Sequence, residues 1–310
     1  MDFEHKERPY YTINDYYLEK YGHKVYKISL NGDFTCPNRD GTLSYRGCIF
    51  CSESGSAEFG GDKSQPLRNQ FQTVKKMMQN KWKDGKYIAY FQANTNTYGP
   101  IEKLKSLFEE ALTLDPDIIG LSIATRPDSI TDETYEYLSE LNQRTFLSIE
   151  LGLQTIHEET SKKINRGHTY QVFDEAVHRL RSLGIHTVVH IINGLPGETK
   201  DMMLETVKKV NQLDIQGLKI HMLFMTKNTP MYEIYLKNPF HFLTLEEYVD
   251  ITVSQIEILR PDIVLHRLTG DADRNELIEP LWTLKKFVVT NEIDKLLRKK
   301  KTYQGVYYEK

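Results

Sequence analysis

The 310-residue sequence contains only three cysteines and no long uncharged apolar run. A membrane helix needs about twenty apolar residues, and the first residues, MDFEHKERPYY, lack the apolar core of a signal peptide. We therefore expect no membrane span, no membrane partner and a cytoplasmic protein. The cysteines are odd in number and lie within the sixteen residues from Cys36 to Cys51. This clustering argues against a disulfide framework and favours a metal site in a reducing compartment.

A strong charge bias of either sign is also missing. The formal net charge is −3 and the sequence pI is near 6.4, which is unlike the basic balance of a general nucleic-acid binder. A local basic face is still sufficient for an RNA substrate. Residues 285–310 provide one, with eight Lys or Arg against three Asp or Glu. We interpret this tail as a solvated helical face or as a contact for RNA phosphates.

Short β-branched or aromatic runs alternate with longer segments of helical spacing. The predicted strands cover residues 25–30, 87–92, 118–124, 146–151, 186–192 and 217–224. The predicted helices cover residues 67–82, 101–114, 132–141, 170–183 and 200–213. Successive βαβ units imply a parallel sheet, hence an α/β fold. Periodicity alone fits both a (β/α) barrel and an open doubly wound sheet, and in either one the functional loops follow the carboxyl ends of the strands.

All three cysteines lie in the segment NGDFTCPNRDGTLSYRGCIFC, directly after the first predicted strand. Cys48 and Cys51 have C-x2-C spacing and can point at one metal centre. Cys36 can fold back across eleven intervening residues, with Gly41 and Gly47 supplying the turns. Three thiolates leave one iron of a [4Fe–4S] cluster open, as a catalytic metal site requires. The alternatives are a zinc site with three cysteines and one histidine, or buried thiols without a metal.

Phe50, immediately before the last cysteine, resembles the C-x-aromatic-C ending of radical S-adenosylmethionine (SAM) motifs. The first spacing of eleven resembles that of the YtqA or YhcC subgroup, which is related to the Elongator catalytic subunit. This resemblance covers most of residues 20–225. It implies a partial (β/α)6 TIM-type barrel at 25–227, preceded by an aromatic-rich segment at 1–24 and followed by an α/β extension with a basic tail at 228–310.

The resemblance also implies two cofactors, a [4Fe–4S] cluster held by the three cysteines and SAM, which Phe50 would help to bind. Reductive cleavage of SAM at the cluster would give a 5′-deoxyadenosyl radical that abstracts hydrogen from the substrate. Cluster potentials reach roughly −700 mV, so an electron donor such as flavodoxin or ferredoxin is expected. The sequence predicts neither an oligomeric state nor a catalytic residue beyond the cysteines.

Further SAM contacts are implied at the ends of later strands. Glu150, Gln154 and Arg166 match the E-x-G-x-Q and R-G-H-T pieces of the Elongator relatives and of oxygen-independent coproporphyrinogen dehydrogenase. Glu150 and Gln154 would bind ribose hydroxyls or the amine of SAM, and Arg166 its carboxylate. The structural alternative is an internal Glu150–Arg166 salt bridge. Arg126 would bind an anionic group, or else form a surface ion pair with Asp128.

The second and fifth strands match the family pattern less completely. Gln92 and Asn94 stand where relatives carry a Gly-Gly run that binds the methionyl amine, and a locally bonded turn is the alternative for Asn94. His190, Ile192 and Gly194 partly match the pattern on the adenine side. A satisfied core histidine is the alternative for His190.

The substrate is expected from the resemblance alone, since the subgroup is associated with the 5-side chain of wobble uridine in tRNA. We expect conversion of carboxymethylaminomethyl-uridine towards aminomethyl-uridine. The alternatives are a radical SAM enzyme acting on a small metabolite and a non-catalytic zinc-binding RNA module. The tyrosines between Tyr10 and Tyr21 either form a stacking surface for nucleotides or pack against the first strand.

Overall fold

The computed structural model describes residues 3, 7–52, 55, 60–79 and 85–309. The strands are β1 (Val25–Leu30), β2 (Lys86–Phe91), β3 (Ile118–Thr125), β4 (Phe146–Gln154), β5 (His186–Asn193), β6 (Gly217–Met222), β7 (Met225–Thr226), β8 (Val264–Arg267) and β9 (Leu277–Glu279). The helices are α1 (Ile13–Tyr21), α2 (Leu67–Gln79), α3 (Ile101–Leu112), α4 (Asp132–Arg144), α5 (Glu158–Lys163), α6 (Tyr170–Ser182), α7 (Lys200–Val210), α8 (Pro230–Lys237), α9 (Leu245–Ile258) and α10 (Lys286–Lys300).

Seven parallel strands form one curled sheet in the order β1-β2-β3-β4-β5-β6-β8. The predicted α/β fold and partial TIM-type barrel are confirmed, and the open-sheet alternative is wrong. The seventh strand, β8, comes from the C-terminal extension, while β7 and β9 form a separate antiparallel pair. The division into three segments stays a prediction. The predicted helix 67–82 is observed over Leu67–Gln79, and residues 80–82 lie outside the described part of the chain.

The helices begin where threonines cap them. The side chains of Thr131, Thr169, Thr199, Thr229 and Thr244 each accept a hydrogen bond from the backbone N–H three residues later. Each cap satisfies a donor that the first helical turn leaves open and stabilises the helix by about 1 kcal/mol. The helices predicted from the sequence begin at three of these starts, residues 132, 170 and 200.

Side-chain alternation along the strands separates an apolar layer from a polar interior. Ile28 and Leu30 of β1 are fully buried in the core that the helices share with the sheet, whereas Lys27 and Ser29 line the barrel cavity. Such alternation follows from the two-residue period of a strand. Polar side chains are thereby collected inside the barrel.

Helix α1 covers the amino-terminal end of the barrel. Thr12, its N-cap, forms a parallel bridge with Leu265 of β8. Tyr16 packs on His186 and Tyr21 packs on Phe146, with ring centroids 5.4 and 6.2 Å apart. The packing interpretation of the aromatic-rich segment is therefore correct, and the stacking-surface interpretation is wrong for its buried members, Tyr10, Tyr11 and Tyr17.

No helix among the described residues is both long enough and apolar enough to cross a membrane.

Candidate active site inside the barrel

One cavity of about 560 Å³ runs through the barrel. Its lining extends from Tyr17 and Val25 at the amino-terminal end to the three cysteines, Arg126 and Gln154 at the carboxyl end. A pocket of this size takes a ligand as large as a nucleotide or a drug-sized molecule. The carboxyl ends of the strands are also where barrel enzymes place their active sites.

The cysteine loop is held by turns within its own sequence. The backbone N–H groups of Arg39 and Asp40 donate to the carbonyl of Cys36 at 2.8 and 3.1 Å. Gly41 and Gly47 have φ angles of +96° and +72°, a region that disfavours a Cβ atom. The predicted turn function of these two glycines is therefore confirmed.

A second set of contacts fixes the end of the loop. The N–H of Cys51 donates to the carbonyl of Cys48 at 3.0 Å, which brings the two thiols to one side. The buried amide of Asn38 donates to Cys48 Sγ at 3.7 Å and to the carbonyl of Asn165 at 2.6 Å. Burial and the neighbouring thiols of Cys51 and Cys36 raise the pKa of the Cys48 thiol to about 12, against the opposing charge of Arg126.

The three thiols supply the donor set of a [4Fe–4S] cluster. All three cysteines line the same cavity. In such a cluster each thiolate binds a different iron, and three thiolates leave the fourth iron open. In the part of the chain that the structure describes, no three His, Cys, Asp or Glu side chains form a site for a single metal ion.

Glu150 lies in the middle of β4 with its side chain fully buried. Lys27 Nζ and Ser122 Oγ donate to its Oε1 at 2.5 and 3.0 Å. Its Oε2 accepts from Lys219 Nζ at 2.5 Å, from the Tyr90 hydroxyl at 2.7 Å, and lies 2.8 Å from His190 Nε2. Burial alone raises the pKa of Glu150, but the ammonium groups of Lys219 and Lys27 hold it well below its usual range. The carboxylate is therefore ionised and bound on both oxygens.

Arg166 does not pair with Glu150, so the predicted internal salt bridge is wrong. Its Nη1 donates to the carbonyls of Leu153 and Thr155, both at 2.6 Å. Its Nε and Nη2 donate to the carbonyl of His168 at 3.0 and 2.8 Å. Desolvation lowers the pKa of this buried guanidinium to about 10. Arg166 thus ties the end of β4 to the following loop, and its contact with SAM stays a prediction.

Most of the other predicted cofactor contacts come together at the cavity. Phe50 and Ile192 belong to one apolar cluster beside the cysteine loop. Gln92, Asn94, Gln154 and His190 also line the cavity. Gly194 is not among the lining residues, because Leu243 of the C-terminal extension covers it and lies 3.0 Å from where a Cβ would stand. The contact of Gly194 with SAM stays a prediction.

Two of these residues adopt a backbone conformation that is rare for non-glycine residues. Asn94 has φ +58° and Gln154 has φ +61°. Backbone strain of this kind clusters at ligand sites. The Asn94 amide also donates to the carbonyl of Phe34 at 3.1 Å, so Asn94 fixes the approach to the cysteine loop. The locally bonded turn and a cofactor contact are compatible at this position.

The sequence reasoning assigned no role to the lysines of the interior, Lys27 and Lys219. Each lies between two apolar neighbours in its strand, as in VYKISL and GLKIHM. A charged residue in a buried strand is costly unless it is paired, and this signal could have singled out both lysines. Arg126 pairs with Asp128 at 2.9 and 2.7 Å, as expected, but the predicted surface position is wrong. The two side chains are only 11% and 19% exposed, and Arg126 lines the cavity.

The histidines of the interior carry no charge near neutral pH. Burial lowers the pKa of His190 to about 4 and holds the pKa of His221 well below its usual range. Their rings pack against each other with centroids 5.7 Å apart. The charges inside the barrel therefore come from lysine, arginine and carboxylate side chains.

Comparison with known proteins agrees with this geometry. A family model described as "Radical SAM superfamily" matches residues 42–210, and one described as "Radical_SAM C-terminal domain" matches residues 215–299. The chain is 48% identical to "Uncharacterized protein YtqA" of Bacillus subtilis over 99% of this chain and 95% of that protein. It is 33% identical to "Protein YhcC" of Escherichia coli over 90% of this chain and 89% of that protein.

A solved structure shares the fold. The archaeal Methanocaldococcus infernus Elp3 with an N-terminal deletion superimposes with a TM-score of 0.68 at 17% identity, over 90% of this chain and 64% of that chain. At this identity the likeness concerns the fold alone.

Proposed function

Because the chain belongs to the radical SAM superfamily, we propose that it acts on a wobble uridine of tRNA and converts its carboxymethylaminomethyl side chain to aminomethyl. Members of the superfamily are enzymes that use a [4Fe–4S] cluster and SAM, so the predicted reaction class and cofactors are confirmed. The alternative of a non-catalytic zinc-binding RNA module is wrong for the same reason. A low-potential electron donor such as flavodoxin or ferredoxin belongs to the proposal.

A more distant relative supports an RNA substrate. The tRNA-2-methylthio-N(6)-dimethylallyladenosine synthase of Fusobacterium nucleatum is 27% identical over 55% of this chain and 40% of that protein, and its name states that it acts on tRNA. Elongator complex protein 3 of Schizosaccharomyces pombe is 24% identical over 49% of this chain. The subgroup resemblance described above adds the choice of the wobble uridine.

In this proposal Cys36, Cys48 and Cys51 hold the cluster, and Asn38 orients the Cys48 thiolate through its amide. Phe50 and Ile192 keep water from the cluster on their side, because they pack in an apolar group with further buried residues. When bound, the cluster and SAM supply abstraction of a hydrogen atom and a two-electron sink, since SAM ends as methionine and 5′-deoxyadenosine.

The balance of atoms and electrons in the proposed reaction follows from the chemistry of the carboxymethylaminomethyl side chain. The glycine-derived N–CH2 group loses two electrons and two hydrogens and becomes an imine, which water hydrolyses to the aminomethyl group and glyoxylate. One hydrogen would end on 5′-deoxyadenosine and the other would be released as a proton. The second electron of the substrate would replace the electron that the donor supplies to start SAM cleavage. SAM is then the net two-electron oxidant, and no further oxidant is needed.

The observation that carries the proposal is the polar lining of the cavity beyond the cysteines. The cavity continues past them to Lys27, Glu150 and Lys219, so the interior presents ionised groups of both signs. A carboxymethylaminomethyl side chain also carries both signs, as an ammonium and a carboxylate. An amino acid carries the same two signs, so the nucleoside content of tRNA decides between the two substrates.

The direct test is the nucleoside content of tRNA from a strain lacking the gene. We expect carboxymethylaminomethyl-uridine to accumulate and aminomethyl-type uridines to disappear, as measured by mass spectrometry of digested tRNA. Wild-type protein should restore the pattern, whereas the Cys51→Ala variant should not. Normal aminomethyl-type uridines in the deletion strain would sink the proposal and favour a small-metabolite substrate.

A further inference from the structure

We propose that Lys219 and Arg267 form a subsite for the carboxylate of the substrate side chain. The inference rests on the proposed function and adds to it the residues that distinguish a carboxymethylaminomethyl from an aminomethyl group. Because the subsite belongs to β6 and β8, it is separate from the cysteine loop that follows β1.

The two residues are neighbours across a parallel strand pair. Lys219 of β6 and Arg267 of β8 are register partners, next to an irregularity that gives β8 one extra residue. Adjacent strands lie about 4.8 Å apart, so both side chains can reach one small anion. His221 follows Lys219 by two residues and therefore lies on the same face of β6. All three side chains line the cavity.

Hydrogen-bond donors are available at this position. Lys219 Nζ bonds Glu150 at 2.5 Å and the Tyr90 hydroxyl at 3.2 Å, which leaves its third N–H. Arg267 uses Nη2 for Asp271, and its Nε and Nη1 have no partner among the described residues. Within the same part of the chain, the buried Nε2 of His221 also has no hydrogen-bond partner. Buried polar atoms of native proteins are normally satisfied, so the buried Nε2 of His221 points to a ligand. The side chain of Arg267 is 26% exposed and lines the cavity, so its Nε and Nη1 can donate to that ligand.

The charge balance favours an anion. Glu150 is contacted by both Lys27 and Lys219, and Asp271 is contacted by both Arg267 and Lys286. Three of these cations, Lys27, Lys219 and Arg267, have side chains no more than 26% exposed and face the two carboxylates, whereas Lys286 is 51% exposed. Unbalanced buried charge is costly, and a bound carboxylate would remove part of that cost.

The pKa of Lys219 also reflects the neighbouring cations. Burial, with the charges of Lys27 and Arg267, lowers the pKa of Lys219 to about 7 despite its contact with Glu150. A carboxylate placed against Lys219 would raise this pKa again and favour the ammonium form. The product side chain ends in an ammonium group instead, so the subsite that attracts the substrate repels the product.

Binding to the unreduced, SAM-loaded holoenzyme tests the inference without turnover. Two anticodon stem-loop RNAs are compared that differ only at the wobble position, one with carboxymethylaminomethyl-uridine and one with aminomethyl-uridine. We expect wild-type protein to bind the first about tenfold more tightly, as one or two charge-assisted hydrogen bonds would give. In the Arg267→Gln variant the ratio should fall to near one.

Two further variants control the test. Arg274→Gln makes the same substitution seven positions along the chain, at an exposed residue outside this cavity, and should keep the wild-type ratio. Lys219→Arg keeps a cation at the subsite and should retain more of the preference than Lys219→Met. Cluster absorbance and circular dichroism equal to those of the wild type show that each variant is folded and loaded with its cluster, and the RNA ratio is measured at saturating SAM.

The outcomes separate the two proposals. An unchanged ratio in Arg267→Gln, or a wild-type protein without preference, overturns the carboxylate subsite while leaving the tRNA substrate in place. A wild-type holoenzyme that binds SAM but neither RNA overturns the proposed function itself. Loss of the preference in Arg267→Gln alone, with Arg274→Gln unaffected, supports the subsite.

Discussion

Replacing Glu150 by Gln removes the single carboxylate that both Lys27 and Lys219 contact inside the barrel. The side chains of these lysines are only 18% and 8% exposed, so water compensates them poorly. Breaking a buried ion pair from one side costs about 3–5 kcal/mol, because the partner charge is left unpaired. We therefore expect Glu150→Gln to lower the free energy of unfolding by about that amount.

The loss should depend on pH in a defined direction. Without Glu150, the attraction that keeps a proton on Lys219 is gone, so its pKa falls further below the value of about 7 in the wild type. The unfolded chain then binds more protons than the folded chain between that pKa and about 10.4. Stability rises with pH wherever the unfolded state binds more protons. Wild-type Lys219 shows the same rise above its pKa of about 7, so the deficit of the variant should shrink as the pH rises towards about 7 and stay level above it.

Thermal and urea unfolding measure the effect, and Glu109→Gln is the matched control. Glu109 Oε1 also lies 2.5 Å from a cation, Arg144, but the two side chains are 45% and 52% exposed. Exposed pairs contribute about 0–1 kcal/mol. The reasoning is refuted when Glu150→Gln costs no more than Glu109→Gln, or when its deficit grows towards high pH.

Three other changes have expected results. Cys51→Ala should abolish the iron content of anaerobically reconstituted protein while leaving its far-ultraviolet circular dichroism unchanged; a variant that keeps its iron contradicts the ligand assignment. Arg166→Lys should lower the free energy of unfolding in urea by about 2–4 kcal/mol, because one ammonium group cannot replace a guanidinium that donates to three carbonyls. Wild-type stability of this variant would show that those contacts contribute little energy. If the tail contacts RNA phosphates, the double variant Lys299→Gln/Lys301→Gln should bind tRNA more weakly than the wild type. The slope of log binding constant against log salt concentration should then become less steep by up to about 2. Unchanged binding indicates that the tail is a solvated face.

Local signals explain why the strands, several helix starts and the cysteine loop were predictable. A strand buried on both faces has a continuous apolar run, as in Ile118–Thr125. Thr131 and Thr199 mark helix starts because their hydroxyls satisfy nearby backbone donors. The turns at Gly41 and Gly47 likewise depend on residues within the loop itself.

The charged interior depends on contacts that local patterns do not contain. Lys27 and Lys219 lie 123 and 69 positions from Glu150 in the chain, so only the closed sheet brings the three together. The match to the R-G-H-T piece implied a contact of Arg166 with SAM, but the bonds of its guanidinium to the carbonyls of Leu153 and Thr155 could not be predicted from the sequence. The addition of β8 to the sheet also required the tertiary structure, since a four-residue strand has almost no periodicity to read.

The central claim is tested most directly by anaerobic turnover with tRNA from the deletion strain. The reconstituted protein is reduced in the presence of SAM, and both 5′-deoxyadenosine and the wobble nucleoside are quantified. The account predicts one 5′-deoxyadenosine for each carboxymethylaminomethyl-uridine converted, with an equal amount of glyoxylate, and none of these products from the Cys36→Ala, Cys48→Ala or Cys51→Ala variants. Deoxyadenosine formed at the same rate without any change in the tRNA would contradict it.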